Sequence, residues 1–146
     1  MVPEPAMPPP HGPTEWAALA LVALFLALIV ALGTFRTILA LREGRPADRF
    51  DPRGHDVGAF GHRLTRVHAN AYESLPLILA VLLLAMATGR TDATDGLAPI
   101  LVLLRLGQIG THLISASATA VKVRFLAFFV PQLAVLCLWT ARLAFG

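Results

Sequence analysis

Charged residues and cysteine are scarce in this chain of 146 residues. Only 14% of the residues are charged and 56% are hydrophobic, whereas a soluble domain is about 25% charged and about 45–50% apolar. A chain this short also cannot bury so much apolar surface in one aqueous core. The composition therefore excludes an ordinary soluble enzyme and a disordered chain. The single cysteine, Cys137, excludes a disulfide scaffold.

The sequence also lacks a dense block of basic residues. The net charge is +3, but the 12 lysine and arginine residues are spread between apolar runs, without interleaved aromatic residues. That distribution argues against a nucleic-acid partner. The apolar runs instead predict an integral membrane protein whose partner is the lipid bilayer.

Four helices are predicted along the chain. The first apolar stretch, Trp16 to Phe35, is uncharged and corresponds to about 30 Å of helix, one hydrocarbon thickness. The predicted helices cover about 15–41, 62–88, 96–119 and 122–145. Residues 1–14 hold six of the eleven prolines and are predicted to be a disordered N-terminus. Residues 15–146 are predicted to form one all-α domain, an integral membrane four-helix bundle.

The basic residues are distributed unequally between the two ends of these helices. Most of them lie in the first and third loops or in the flanks of those loops, while the opposite side holds only Arg90 and Arg142. Lysine and arginine in short loops favour the cytoplasmic side. We therefore expect loops one and three to be cytoplasmic and both termini to be non-cytoplasmic.

Polar and ionisable side chains interrupt the apolar pattern at membrane depth, where an ionisable side chain costs about 2.5–3.5 kcal/mol and normally faces protein or a water-filled cavity. They are Arg36 near the end of the first helix, Arg66, His68, Asn70 and Glu73 on the second, Arg105, Gln108 and His112 on the third, and Arg124 at the start of the fourth. In one interpretation these groups are mutual partners, with Glu73 neutralising Arg66 or Arg105. In the other they line a mostly cationic pocket that opens to the cytoplasmic side.

The residue types in this pocket indicate its ligand. Guanidinium groups bind carboxylates in bidentate fashion, and Glu73 and Asn70 can meet an ammonium or amide groups. A ligand with two carboxylates, one amino group and two peptide bonds fits, and glutathione is such a ligand. A metal site is not predicted, because His62 and His68 lie on opposite faces of the helix and the spacing has no zinc signature.

The segment Phe60 to Pro76 resembles the second-helix signature of the MAPEG family (membrane-associated proteins in eicosanoid and glutathione metabolism). That signature reads roughly R-x-x-x-N-x-x-E before an apolar run, and here it consists of Arg66, Asn70 and Glu73. The four predicted spans, the charged first loop and the arginine inside the third helix are also similar. The likeness covers about residues 15 to 145.

The resemblance implies a homotrimer with glutathione, a co-substrate, bound between neighbouring subunits near the cytoplasmic face. It also implies that Arg124 is the catalytic arginine beside the glutathione sulfur. The binding residues that it implies are Arg36, Arg66, His68, Asn70, Glu73, Arg105, Gln108 and His112.

The implied function is that of a membrane-bound glutathione-dependent transferase or peroxidase-type protein that acts on lipophilic electrophiles. This chain departs from the eicosanoid synthases, which carry tyrosines where Gln108 and His112 stand. Its connection from His112 to Arg124 is also a few residues longer. A non-catalytic membrane protein that binds a ligand or acts as a scaffold is therefore an alternative. A small transporter subunit is a further one, and another low-molecular-weight thiol could replace glutathione.

Overall fold

The computed structural model describes residues 11–146, which are helical apart from short connections. The long helices are α1 (Pro13–Glu43), α2 (Gly58–Ala87), α3 (Ala98–Ile114) and α4 (Ala118–Phe145), and the segment Arg124–Phe129 within α4 is wound as a π-helix. A 3-10 turn at Ala47–Arg49 lies in the first loop, and one helical turn at Asp92–Asp95 lies in the second. No strand occurs between residues 11 and 146.

Three of these helices have the length and composition of membrane spans. They are α1, α2 and α4, and α3 is a shorter apolar helix. Large apolar side chains cover the outside of the protomer; Val30, Leu103 and Leu126 are each about two-thirds exposed. Such a surface suits lipid and not water. The predicted all-α fold is thereby confirmed, and the long apolar helices fit the predicted membrane protein.

The core is one apolar cluster to which all four helices contribute. Leu21 of α1, Leu82 of α2, Leu101 of α3 and Trp139 of α4 are each 0% exposed. Helix α1 packs against α2 and α3, and α4 packs against α2 and α3. This arrangement leaves α2 and α3 between the other two helices, so that their polar faces are held next to α4.

Helix α1 begins earlier than the sequence predicts. Pro13 stands in its first turn, where the missing N–H costs nothing, and the hydroxyl of Thr14 donates to Oδ1 of Asp95 at 2.6 Å. Pro13 and Thr14 are therefore helical, although the sequence assigned them to the disordered N-terminus. Residues 1–10 of that segment lie outside the described residues. At its other end α1 stops at Gly44, whose φ of +62° is left-handed.

The connection between α3 and α4 also differs from the prediction. Helix α3 ends at Ile114 instead of near residue 119, because Ser115 adopts an extended conformation. The side chain of Ser117 then accepts a hydrogen bond from the Ala120 N–H at 3.2 Å and starts α4 there. Serine side chains satisfy the exposed N–H groups of a helix start. Residues that were assigned to the end of the third helix thus form the first turn of α4.

Candidate functional site

A cluster of polar side chains lies buried between α2, α3 and α4. It consists of the buried residues Arg105, Gln108 and Gln132 and the half-buried Ser74, and we call it the buried polar cluster. Arg105 is 1% exposed and stands at its centre. Nη1 of Arg105 donates to Oε1 of Gln108 at 2.6 Å and to Oε1 of Gln132 at 3.3 Å. Nη2 donates to the Asn70 carbonyl at 3.3 Å and to the Ser74 hydroxyl.

The Nη1 and Nη2 groups of Arg105 donate to neutral oxygens and not to a carboxylate, and its Nε is buried without a hydrogen-bond partner among the described residues. Between residues 11 and 146, ion pairs occur only in and beside the first loop, among Glu43, Arg45, Asp51, His55 and Asp56. The interpretation in which Glu73 neutralises Arg66 or Arg105 is therefore wrong for the single protomer. The physical reason is that the carbonyl of Asn70 and the hydroxyl of Ser74 occupy the side of Arg105 that faces α2.

A cavity of about 270 Å³ adjoins this cluster, and we call it the cationic cavity. It is lined by Asn70, Gln108, His112, Val121, Arg124, Phe125 and Phe129. Four of the residues that the sequence singled out thus meet here, from three different helices. They supply the cavity with a guanidinium, an imidazole and two amides, which suit a ligand that carries carboxylate and peptide groups.

A second cavity of about 290 Å³ lies on the other side of Asn70 and Phe129, which line both. Arg105 and Glu73 border its polar end, and Leu77, Leu133 and Leu136 border its apolar end. The same three leucines continue into an apolar groove of about 500 Å³ between α2 and α4. The cationic cavity, the second cavity and the groove therefore adjoin one another in series toward a surface that suits lipid tails, and we call the second cavity and the groove together the apolar path.

The remaining predicted site residues lie elsewhere on the protomer. Arg66 is exposed on α2. The ring of His68 stacks on Phe25 of α1, with ring centroids 5.6 Å apart. Arg36 faces the first loop, where its Nη2 donates to the Asp51 carbonyl at 3.4 Å. The structure therefore brings Asn70, Glu73, Arg105, Gln108, His112 and Arg124 to the two adjoining cavities and places Arg36, Arg66 and His68 outside their linings.

Comparison with the models of known protein families identifies the family of this chain. The model of the MAPEG family matches residues 15–144, nearly the whole chain. The chain belongs to the MAPEG family. The comparisons with curated proteins and with solved structures gave no match. Membership makes this a membrane protein of a family that is associated with glutathione metabolism.

Two residues of this MAPEG chain contribute to the buried polar cluster without having been singled out from the sequence. Ser74 lies one helical turn after Asn70 and so shares its face of α2. Gln132 is the only amide or charged side chain between Arg124 and Thr140. A lone amide in an apolar membrane helix is itself a signal, because an unpaired polar group in lipid costs several kcal/mol. That signal points to a partner on a neighbouring helix.

The π-helical segment of the MAPEG chain brings α4 close to α3. The ring of Phe128 lies against Gly107, where a Cβ atom would overlap it. Pro131 follows the segment and has no N–H to donate to the Ala127 carbonyl, which frees the backbone from regular α-helical pairing. One turn after Phe128, Gln132 reaches Oε1 of Gln108 at 3.1 Å. The close approach at Gly107 thus sets the depth at which α4 meets the cluster.

The first loop folds tightly between α1 and α2. Gly54 has a φ of +72°, and a Cβ atom there would lie 2.7 Å from the Thr65 hydroxyl oxygen. Nη2 of Arg45 is 2.7 Å from Oδ2 of Asp56. Hydrogen bonds from backbone N–H groups, chiefly that of Arg53, hold the pKa of Asp51 below its ordinary value of 3.8. The Asp51 N–H, with a smaller contribution from Arg45, lowers the pKa of Asp56 in the same way.

Proposed function

We propose that this chain is a membrane-bound, glutathione-dependent transferase or peroxidase-type protein that acts on lipophilic electrophiles. The observation that carries the proposal is the cationic cavity, in which Arg124 and His112 stand beside the amides of Asn70 and Gln108. That cavity adjoins an apolar path through Leu77, Leu133 and Leu136. A polar site for a thiol and an apolar approach for its acceptor are the two parts that such a reaction needs.

The charges of the site fit glutathione. Arginine binds carboxylates through paired N–H donors, and Arg124 uses Nη1 on the Ser115 carbonyl at 3.2 Å while its other N–H donors make no hydrogen bond within residues 11–146. The side-chain amides of Asn70 and Gln108 offer donors and acceptors to peptide groups. Glu73, at the polar end of the adjoining cavity, offers a carboxylate to an ammonium group.

The proposed assembly is a four-span homotrimer. Arg66 and Glu73 are exposed on α2, and neither takes part in an ion pair within the described part of the chain. Charged groups at membrane depth face protein or a water-filled cavity, so a neighbouring subunit and the bound ligand supply their surroundings. In this assembly Arg36, which lies apart from the cationic cavity of its own protomer, belongs to the site of the next subunit.

In the proposed reaction Arg124 is the catalytic residue. Its positive charge beside the sulfur lowers the pKa of the thiol and so raises the thiolate fraction. The thiolate forms a bond to an electrophilic carbon, whose leaving group departs with the bonding electrons, and the thiol proton passes to water. The apolar path between α2 and α4 brings the electrophile from the bilayer to the sulfur. The basic first and third loops favour a cytoplasmic position for this proposed site.

The experiment is a conjugation assay with the purified protein in detergent, using glutathione and a generic aryl halide. Arg124→Ala is expected to abolish most of the turnover. Lys122→Ala is the matched control, because Lys122 is an exposed cation two residues away that does not line the cavity. Turnover that survives Arg124→Ala unchanged would contradict the assignment of Arg124. A protein that neither binds glutathione nor turns it over would overturn the proposed function.

One observation favours a second candidate function, a non-catalytic membrane protein that binds glutathione. None of the side chains that line the cationic cavity carries a hydroxyl group. A hydroxyl donor beside the sulfur is therefore missing from the described lining. Tight glutathione binding without conjugation in the same assay would support this candidate over the enzyme.

A further inference from the structure

The buried polar cluster fixes which way the Gln108 amide points. Nη1 of Arg105 lies 2.6 Å from the Gln108 side chain. A guanidinium group carries only donors, whatever the pH. The atom of Gln108 that faces Arg105 must therefore be its carbonyl oxygen, Oε1, because the amide nitrogen is a donor as well.

The opposite end of the cluster enforces the same direction. The Phe128 carbonyl can only accept, and it lies 3.1 Å from Nε2 of Gln132. That orients Gln132 with its nitrogen also 3.1 Å from Oε1 of Gln108 and with its own Oε1 3.3 Å from Arg105. Arg105 at one end of the cluster can only donate, and the Phe128 carbonyl at the other end can only accept. The hydrogen bonds of the whole cluster can therefore run in one direction only.

With the hydrogen bonds in this direction, the amide nitrogen of Gln108 has no partner in the cluster and can face the cavity. Oε1 accepts from both Arg105 and Gln132, whereas Nε2 donates to no group within residues 11–146. Although Nε2 has no hydrogen-bond partner among these residues, it is not fully buried. Since Gln108 lines the cationic cavity, the N–H groups of its amide are available there.

We infer that Arg105 is a positioning residue that holds the Gln108 amide with its N–H donors toward the cationic cavity, so that Gln108 selects a ligand group that accepts hydrogen bonds. Such a group is a carboxylate or carbonyl oxygen or a thiolate, and an ammonium group is disfavoured at this point. In this role Arg105 acts through Gln108, because Gln108 lines the cationic cavity and Arg105 does not. The inference rests on the proposed function only where glutathione serves as the ligand.

Replacing Gln108 tests the direction of the amide. Gln108→Glu keeps an oxygen for Arg105 and adds an ion pair, but it turns an acceptor toward the cavity. We expect its thermal stability to equal or exceed that of the wild type, while glutathione affinity, measured by calorimetric titration, falls about tenfold or more. Gln108→Met is the matched control. It leaves Arg105 short of an acceptor and should lose more stability but less affinity than Gln108→Glu.

Replacing Arg105 tests the positioning role. Arg105→Lys keeps an obligatory donor, so we expect glutathione affinity within about threefold of the wild type. Arg105→Met removes that donor, so that among the described residues only Gln132 still holds Oε1 of Gln108. In that background Gln108→Glu should lose its stability advantage over Gln108→Met. If the role of Arg105 were purely structural, the more stable of the Gln108→Glu and Gln108→Met proteins would also bind glutathione more tightly.

Two results would overturn the inference. One is a Gln108→Glu protein that binds glutathione as tightly as the wild type. The other is a double-mutant cycle in which the effects at positions 105 and 108 on thermal stability simply add. If the wild type binds no glutathione, the proposed function fails, and the stability cycle still decides whether Arg105 sets the polarity of Gln108. If Arg105→Met does not fold, the Gln108→Glu and Gln108→Met pair decides the question.

Discussion

Nη1 of Arg124 lies 3.2 Å from the carbonyl oxygen of Ser115, so the side chain at the start of α4 is tied to the end of α3. A second arginine acts beside it, since Nε of Arg63 donates to the Leu113 carbonyl at 2.7 Å. The last carbonyls of a helix lack intrahelical donors and carry partial negative charge, which favours cations there. Arg124 therefore has a fixed place at the rim of the cationic cavity, with donors left for a ligand.

Removal of the Arg124 charge is expected to move the pH dependence of conjugation. In Arg124→Met the thiol loses its neighbouring cation, so its pKa rises and the rate reaches its plateau about one pH unit higher or more. The measurement is the pH–rate profile with saturating glutathione. Lys122→Ala should leave the profile where it is in the wild type. Identical profiles for wild type and Arg124→Met would show that Arg124 does not act on the thiol.

Glu73→Gln is expected to act on the assembly and on the ligand rather than on the fold of the protomer. Glu73 is exposed and forms no ion pair among the described residues, so its loss should leave helix content unchanged. We expect glutathione affinity to fall about tenfold, the usual effect of one charge-assisted hydrogen bond, and the oligomer to dissociate more readily in native mass spectrometry. Glu43→Gln, at the end of α1, is the control. A Glu73→Gln protein with wild-type affinity and assembly would contradict this role.

Two glycines of α3 should respond in opposite ways to alanine. A Cβ atom at Gly107 would overlap the Phe128 ring, whereas one at Gly110 would meet nothing within 4 Å. Gly107→Ala is therefore expected to destabilise the protein by about 1–3 kcal/mol. Gly110→Ala should be neutral or stabilise the helix by up to about 1 kcal/mol. Thermal unfolding in detergent measures both, and equal effects would mean that the close approach of α3 and α4 is not formed.

The first loop is expected to loosen in acid. The pKa values of Asp51 and Asp56 are lowered in the folded protein, chiefly by backbone N–H donors. A lowered pKa means that the stabilisation is complete above the ordinary value of 3.8 and is lost as the pH falls through the lowered value. Hydrogen exchange across residues 44–57, corrected for its intrinsic pH dependence, should therefore accelerate in that range. Asp48→Asn should not alter this response, and a loop that stays protected in acid would contradict the prediction.

The orientation of the chain can be tested with fused reporters. If the basic first and third loops are cytoplasmic, alkaline phosphatase fused after Gly146 should be active, because this enzyme folds only outside the cytoplasm. The same reporter inserted after Arg49 in the first loop should be inactive. The reverse pattern would mean that the chain has the opposite orientation, and activity at both positions would mean that the number of spans is different.

The sequence alone determined the class of the molecule and the faces of its helices. Apolar runs of bilayer length predict membrane helices because lipid cannot satisfy exposed backbone groups. Helical periodicity placed Arg66, Asn70 and Glu73 on one face of α2, and the same three residues carry the likeness to the MAPEG signature. These inferences depend on neighbours along the chain, so one sequence suffices for them.

Only the tertiary structure decided which of those faces meet. It joined Asn70 and Gln108 to Arg124 at one cavity, yet turned His68 toward Phe25. It also recruited Gln132, whose register depends on how the π-helix of α4 winds and how closely Phe128 approaches Gly107. Periodicity gives the direction of a side chain relative to its own helix axis. The rotation and depth of one helix against another follow from packing between residues that are distant in the chain, and no local pattern encodes them.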